Sequence, residues 1–280
     1  MARARFYLLA FLVLAGIVLA AGAAMHDDVR AEYRPAPPGL LLIAHAGGGL
    51  PQGTYTNARE AFDLAHANGF RLFEADFART QDGAVVLIHD WDATYARLFT
   101  GLPLGIAVPA LRLSGWRPDH AAFMASPMRG GLTPMDLDAL FGWMRRHPDA
   151  RIVTDVKDDN LAVLAAIAAA APDLRDAFIP QIYAPDELAE ARRLGFRDVI
   201  LTLYRSSLSD DEVIAFARGA NLWAVTMPQE RALAGRLVER LAEAGMRVAV
   251  HTVNAPDAAE ALRHRGVGAL YTDYLLPRGE

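Results

Sequence analysis

The chain has 280 residues, enough for one large α/β domain or two small ones. Its 53% hydrophobic and 22% charged residues exclude a disordered chain, and a net charge of −5 excludes nucleic acid as the main partner, since phosphate backbones are held by basic surfaces. With no cysteine at all, disulfides, thiolate nucleophiles and sulfur-bound metals are excluded, and any ion must be held by oxygen or imidazole.

Phe6 to Met25 form a run of 20 uncharged, mostly apolar residues, with Arg3 and Arg5 before it and Asp27 and Asp28 after it. As a helix this run is about 30 Å long, the thickness of a bilayer core, and the basic flank keeps its start cytoplasmic. Ala21-Gly22-Ala23 also offers the small residues of a signal-peptidase site. Residues 1–25 therefore read as a signal anchor or a signal peptide. The rest of the chain is expected in the cell envelope, either membrane-anchored through that helix and facing outward, or secreted or periplasmic after cleavage. Residues 26–39, with three prolines, read as a linker.

From residue 40 onward, short apolar runs alternate with segments of helical period, the pattern of βα units around a parallel sheet. Eight strands are expected: Leu40–His45, Arg71–Phe77, Arg151–Val156, Phe178–Tyr183, Val199–Leu203, Leu222–Thr226, Arg247–His251 and Ala269–Thr272. They suggest an α/β fold, a (β/α)8 barrel of the TIM type, over residues 40–280. Thr133-Pro134 reads as a helix N-cap and first turn. Ala84–His89 follows the second strand after only Thr80-Gln81-Asp82-Gly83, too close for a parallel crossover. Asp-Gly signals a hairpin, so this run is expected to return antiparallel, with pairing numbers summing to 163 and His89 opposite Glu74. Residues 91–133, rich in Gly and Pro yet carrying Phe99, Leu102, Ile106, Trp116, Phe123 and Met128, read as a packed insertion capping the barrel mouth.

Strand alternation puts Glu74 and Asp76 on one face and Phe73, Ala75 and Phe77 on the other. The apolar set belongs against the helices, so the two acids point inward near the strand's C-terminal end, where barrels of this kind carry their sites. Asp155 and Lys157 repeat the spacing on the third strand. Three inward carboxylates repel one another, and Lys157, the only lysine in the chain, cannot offset them all. Oxygen ligands without sulfur favour a hard divalent ion, Ca2+ or Mg2+. His45 and His89 end their strands beside these acids and titrate near neutrality, as general acid and base chemistry requires.

These motifs resemble the glycerophosphodiester phosphodiesterases, a family with a phospholipase-C-like barrel. The resemblance rests on His45-Ala46-Gly47-Gly48, Asn57 to Phe62, Glu74-Ala75-Asp76, Thr80 to Gly83, Val86 to Asp90, Asp155-Val156-Lys157, His251 to Asn254 and Tyr271-Thr272-Asp273. It implies that His45 and His89 are the catalytic pair, His45 the base and His89 the acid. It also implies that Glu74, Asp76 and Asp155 hold the metal, that Lys157 contacts the phosphate, and that the substrate is a glycerophosphodiester or a related lipid- or polymer-derived diester. Three departures stand out. Ala46 replaces an arginine, which leaves Lys157 with another arginine, Arg79 or Arg205, to supply positive charge, or else implies a substrate recognised differently. Thr56-Asn57-Ala58 replaces Glu-Asn-Thr, and His251 replaces a tryptophan. Two further readings of the same residues are a phospholipase C or D type lyase on intact lipid and a non-catalytic binder.

Overall fold

The structure is a computed structural model that describes residues 32–278; the apolar run expected to anchor or target the chain lies outside the described residues. Among those residues no helix is long and apolar enough to cross a membrane. Eight parallel strands close into a barrel: β1 Leu41–Ala44, β2 Leu72–Arg79, β3 Arg151–Val156, β4 Phe178–Ile182, β5 Ile200–Thr202, β6 Ala224–Pro228, β7 Val248–His251 and β8 Ala269–Thr272. Closure is direct, with Ile43 of β1 paired to Tyr271 of β8 on one side and to Leu72 of β2 on the other.

Alternation along the strands separates two cores. Ile43, Val153, Ile179, Ile200, Ala224, Ala249, Ala269 and Tyr271 fill the barrel interior. Phe73, Ala75, Phe77, Ile152 and Val156 face the helices outside. One of these helices, Leu137–Arg146, packs against this outer core through Leu140, Phe141, Trp143 and Met144. It is capped by Asp136, whose side chain accepts from Ala139 N at 2.8 Å, and not by Thr133-Pro134 as expected. Thr133 instead donates to Glu60 through both its amide and its hydroxyl, which pins the end of the insertion to the helix Arg59–Ala67.

The antiparallel return after β2 is present as Val85–Leu87, but one residue out of the expected register. Phe77 pairs with Leu87 and Arg79 with Val85, numbers that sum to 164, so His89 does not face Glu74. The loop has three residues, closed by Thr80 N to Ala84 O at 2.9 Å, and Gly83 at φ +85° takes its left-handed position. This moves the centre of the hairpin onto Asp82.

Residues 91–133 form a compact insertion containing the helices Ala93–Phe99, Leu104–Ser114 and His120–Ala125. Tyr95 and Phe123 pack with Val86 and Ile88 of the return strand, and Leu98, Met128 and Leu132 pack on Leu50 of the loop after β1. The end of the segment read as a linker is ordered against the barrel. The Tyr33 hydroxyl donates to Gly49 O at 2.9 Å, and Arg34–Pro35 pair with Leu275–Leu276. The chain thus meets the barrel at its mouth and runs down its side to begin β1.

Candidate active site

The C-terminal ends of β1, β2 and β3 bring the expected residues together. Asp76 and Asp155 are register partners on adjacent strands, and Glu74 lies two residues below Asp76 on the same face. Ligand oxygens of Glu74, Asp76 and Asp155 all lie within 4.8 Å of one another. Glu74 Oε2 accepts the amide of Ala46 at 2.7 Å, while its buried Oε1 has no partner. Burial and the neighbouring Asp76 push the Glu74 carboxyl up to about 8. An orphaned carboxylate oxygen among three clustered carboxylates marks a site short of positive charge, so the residues present fit a hard divalent cation.

Lys157 supplies part of that charge. Its Nζ lies 2.6 Å from Asp76 Oδ1 and 2.8 Å from Asp155 Oδ2. Burial opposes the charge on Lys157, but Asp76, Asp155 and Glu74 outweigh it and raise its pKa. Asp155 Oδ1 accepts hydroxyl bonds from Tyr183 at 2.5 Å and Tyr204 at 2.9 Å. Asp155 is correspondingly held below the usual carboxylate range, against the effect of its burial, by Lys157 and the two tyrosines. Asn57 fixes Asp76 twice: Nδ2 donates to Asp76 Oδ2 at 2.8 Å and Oδ1 accepts Asp76 N at 3.0 Å. Asn57 does this from a left-handed backbone, φ 50°, which asparagine tolerates better than most residues.

Both histidines are tethered through Nδ1 to a carboxylate, which leaves Nε2 to exchange a proton. His45 Nδ1 lies 3.0 Å from Asp273 Oδ1, and His89 Nδ1 lies 2.8 Å from Asp90 Oδ2. Burial lowers the pKa of His45, but the hydrogen bond and charge of Asp273, with Glu74 and Asp76, more than reverse this and raise it to about 9. Asp273 is held in turn by Asn254, whose Nδ2 donates to Oδ2 at 2.8 Å. Asp90 accepts from Thr94 through both carboxylate oxygens, so the first insertion helix orients the partner of His89.

Several site residues were not singled out from the sequence. Tyr55, at φ 55°, lies edge-on to both histidines, with ring centroids 4.4 Å from His45 and 5.1 Å from His89. Arg97 of the insertion holds the carbonyl of Thr54 at 2.8 Å, beside that ring. Asp90, Asn254 and Asp273 stood inside recognised motifs, but only the fold shows that Asp90 meets His89, that Asp273 meets His45, and that Asn254 holds Asp273.

A cavity of about 440 Å³ opens beside the carboxylates, with His89, Lys157, Arg112, Arg117 and Arg205 in its wall. Of the two arginines expected to replace the one missing at Ala46, Arg205 lines this cavity, stacked over Tyr183 and Tyr204 at 5.1 and 5.0 Å. Arg79 instead donates to Gly83 O within the hairpin. Trp91, Leu111 and Trp116 give the same cavity an apolar side. His251, in the position of the expected tryptophan, sits between Tyr204 and Tyr271 with Nε2 unpartnered, and burial lowers its pKa to about 4.

The sequence model of the glycerophosphoryl diester phosphodiesterase family matches residues 144–276. No protein of curated function matches the sequence. Among solved structures, the fold is similar to a glycerophosphodiester phosphodiesterase from Thermotoga maritima at 20% identity and TM-score 0.58, covering 84% of this chain and 95% of that one. It is also similar to one from Agrobacterium tumefaciens at 16% identity and TM-score 0.60, covering 84% and 96%. A phosphodiesterase from Oleispira antarctica, solved with the product sn-glycerol-3-phosphate, matches at 16% identity and TM-score 0.60, covering 83% and 92%. The family's sequence pattern thus lies over residues 144–276, just under half of the chain, within a barrel similar in fold to those of solved glycerophosphodiester phosphodiesterases.

Proposed function

We propose that the protein hydrolyses a glycerophosphodiester, or a related lipid- or polymer-derived diester, to a phosphomonoester and an alcohol by metal-dependent acid–base catalysis. The observation that carries this reading is the convergence of Glu74, Asp76 and Asp155 at a mouth that also holds two carboxylate-tethered histidines. Glu74, Asp76 and Asp155 would hold Ca2+ or Mg2+, which supplies positive charge for the phosphoryl oxygens as charge builds on them. Lys157, between Asp76 and Asp155, sets the spacing of those carboxylates and offers its ammonium to the phosphate at the cavity edge. Arg205, and with it Arg117, supplies the cationic clamp that Ala46 cannot. His45, aligned by Asp273, takes the proton of the attacking hydroxyl in its neutral form, which a cation held by Glu74 and Asp76 would favour by offsetting two of the charges that raise its pKa. His89, aligned by Asp90, gives a proton to the leaving alkoxide. Asn57 keeps Asp76 from rotating out of the cluster.

The membrane reading of the N-terminal segment belongs to the same proposal: the hydrolase works in the cell envelope on a diester released from, or held in, a lipid layer. The test is product analysis on a panel of soluble glycerophosphodiesters and intact phospholipids, for the parent and for His45→Ala and His89→Ala. The reading expects a phosphomonoester from the glycerophosphodiesters and a loss of it in both variants. Turnover by both variants at the parental rate on a diester with a poor leaving group would contradict it.

A further inference from the structure

Among the described residues, the large hydrophobic side chains left exposed are concentrated in one place. Leu102, Leu104, Ile106, Leu113 and Trp116 all lie within fifteen consecutive positions of the insertion, with Leu113 91% and Ile106 64% exposed. Ile106 and Leu113 are seven apart on the helix Leu104–Ser114, two turns along the same face, while Ala107 is buried on the face turned to the protein. The helix carries a single charge, Arg112. An apolar helix face so exposed marks a contact with something outside the described fold.

Three observations say what that is. Residues 91–133 contain Arg97, Arg112, Arg117 and Arg129 against Asp92 and Asp119, a net charge of +2 in a chain of net charge −5, so the local charge suits an anionic surface. The described chain begins at the mouth end of the barrel, where Tyr33 bonds Gly49. Only the seven residues 26–32 separate that end from the 20-residue apolar run, a reach of at most about 25 Å. The exposed face is also continuous with the cavity, because Leu111, Arg112 and Trp116 line the cavity while Leu113 beside them faces out.

We propose that the insertion is a membrane-docking surface: Leu102, Leu104, Ile106, Leu113 and Trp116 enter the interface of an anionic phospholipid bilayer, and the mouth of the barrel opens toward that bilayer. The apolar side chains leave water for the acyl boundary while Arg112 and Arg129 meet the headgroups. A diester lying in the headgroup layer then reaches His89 and Lys157 without leaving the surface.

The absence of native cysteine allows a direct test on the full chain. Single variants Ile106→Cys, Leu113→Cys and, at the opposite end of the barrel, Arg218→Cys are labelled with an environment-sensitive fluorophore. Each is reconstituted into vesicles of phosphatidylcholine and phosphatidylglycerol. Docking predicts that the labels at 106 and 113 lose fluorescence to a quencher carried on the lipid chains and resist iodide, while the label at 218 does the reverse. Leaving out phosphatidylglycerol, or raising salt, should weaken the lipid quenching. Labels at 106 and 113 quenched by iodide, or shielded from both quenchers in a chain that light scattering shows to be dimeric, would overturn the proposal. The readout is independent of catalysis, so failure of the hydrolase reading and failure of this one are separable.

Discussion

Asp273→Asn keeps the shape of a buried side chain and removes its charge. Asp273 Oδ1 meets His45 Nδ1 at 3.0 Å, while Oδ2 accepts from Asn254 Nδ2 at 2.8 Å. Asn254 cannot turn to help, because its Oδ1 already accepts from Asp273 N at 2.7 Å and Thr272 Oγ1 at 3.0 Å. With its oxygen toward His45, the new amide sets its NH2 against the NH2 of Asn254. Flipped, it sets NH2 against Nδ1 and drives the imidazole proton onto Nε2, the nitrogen that has to take one. Either way a hydrogen bond to a charged group, about 1.5–3 kcal/mol, is lost from the aligned state, so kcat/KM should fall roughly tenfold to 150-fold. The same change removes the largest influence raising the His45 pKa, which should drop from about 9. Initial rates on a soluble glycerophosphodiester and imidazole 15N NMR read the two effects, with thermal melting as the control for folding. A folded variant with parental kcat/KM and an unmoved His45 titration would refute the alignment argument.

Lys157→Arg conserves charge but puts a planar fork where an ammonium lies 2.6 and 2.8 Å from two carboxylates; its kcat/KM should approach that of Lys157→Ala, and an Arg variant as active as the parent would show that charge alone matters. His251 is largely buried and its folded pKa is about 4, below the unfolded value of about 6.5. Its contribution is therefore fully present above pH 6.5 and is lost as pH falls toward 4, up to about 3 kcal/mol. His251→Asn should flatten urea-unfolding stability across that window, and an unchanged slope would contradict the burial argument. Gly49→Ala would bring a Cβ to 2.5 Å from the Tyr274 ring and 2.6 Å from the Asp273 carbonyl. Overpacking of this kind costs about 1–3 kcal/mol, so melting should drop by about 2–10 °C.

The barrel was legible because its strands alternate between two environments. Phe73, Ala75 and Phe77 against Glu74 and Asp76 can be satisfied only with helices on one side and a polar mouth on the other. The hairpin register was harder to read, since Asp82-Gly83 signals a turn without fixing its length, and it is the ladder pairing Arg79 with Val85 that leaves a three-residue loop with the left-handed Gly83 at its end. His45 and His89 stood out as lone titratable groups at strand ends. Their carboxylate partners did not, because Asp273 is 228 residues from His45 and Asp90 is simply the next residue to His89 among many acids. Tyr55 was invisible for another reason: it lies in an irregular loop, and its place between the histidines depends on a positive φ and on Arg97 from a distant insertion.

The carboxylate cluster is the centre of the proposed chemistry, and 31P NMR of glycerophosphocholine turnover tests it. Parent protein should release a phosphomonoester, stop when stripped with EDTA, and recover on addition of Ca2+ or Mg2+. Glu74→Gln, which removes a ligand charge at a position 2% exposed, should remain folded and release none under any of these conditions. Full turnover by protein shown to be free of metal, or by the Glu74→Gln variant, would contradict a cation held by Glu74, Asp76 and Asp155.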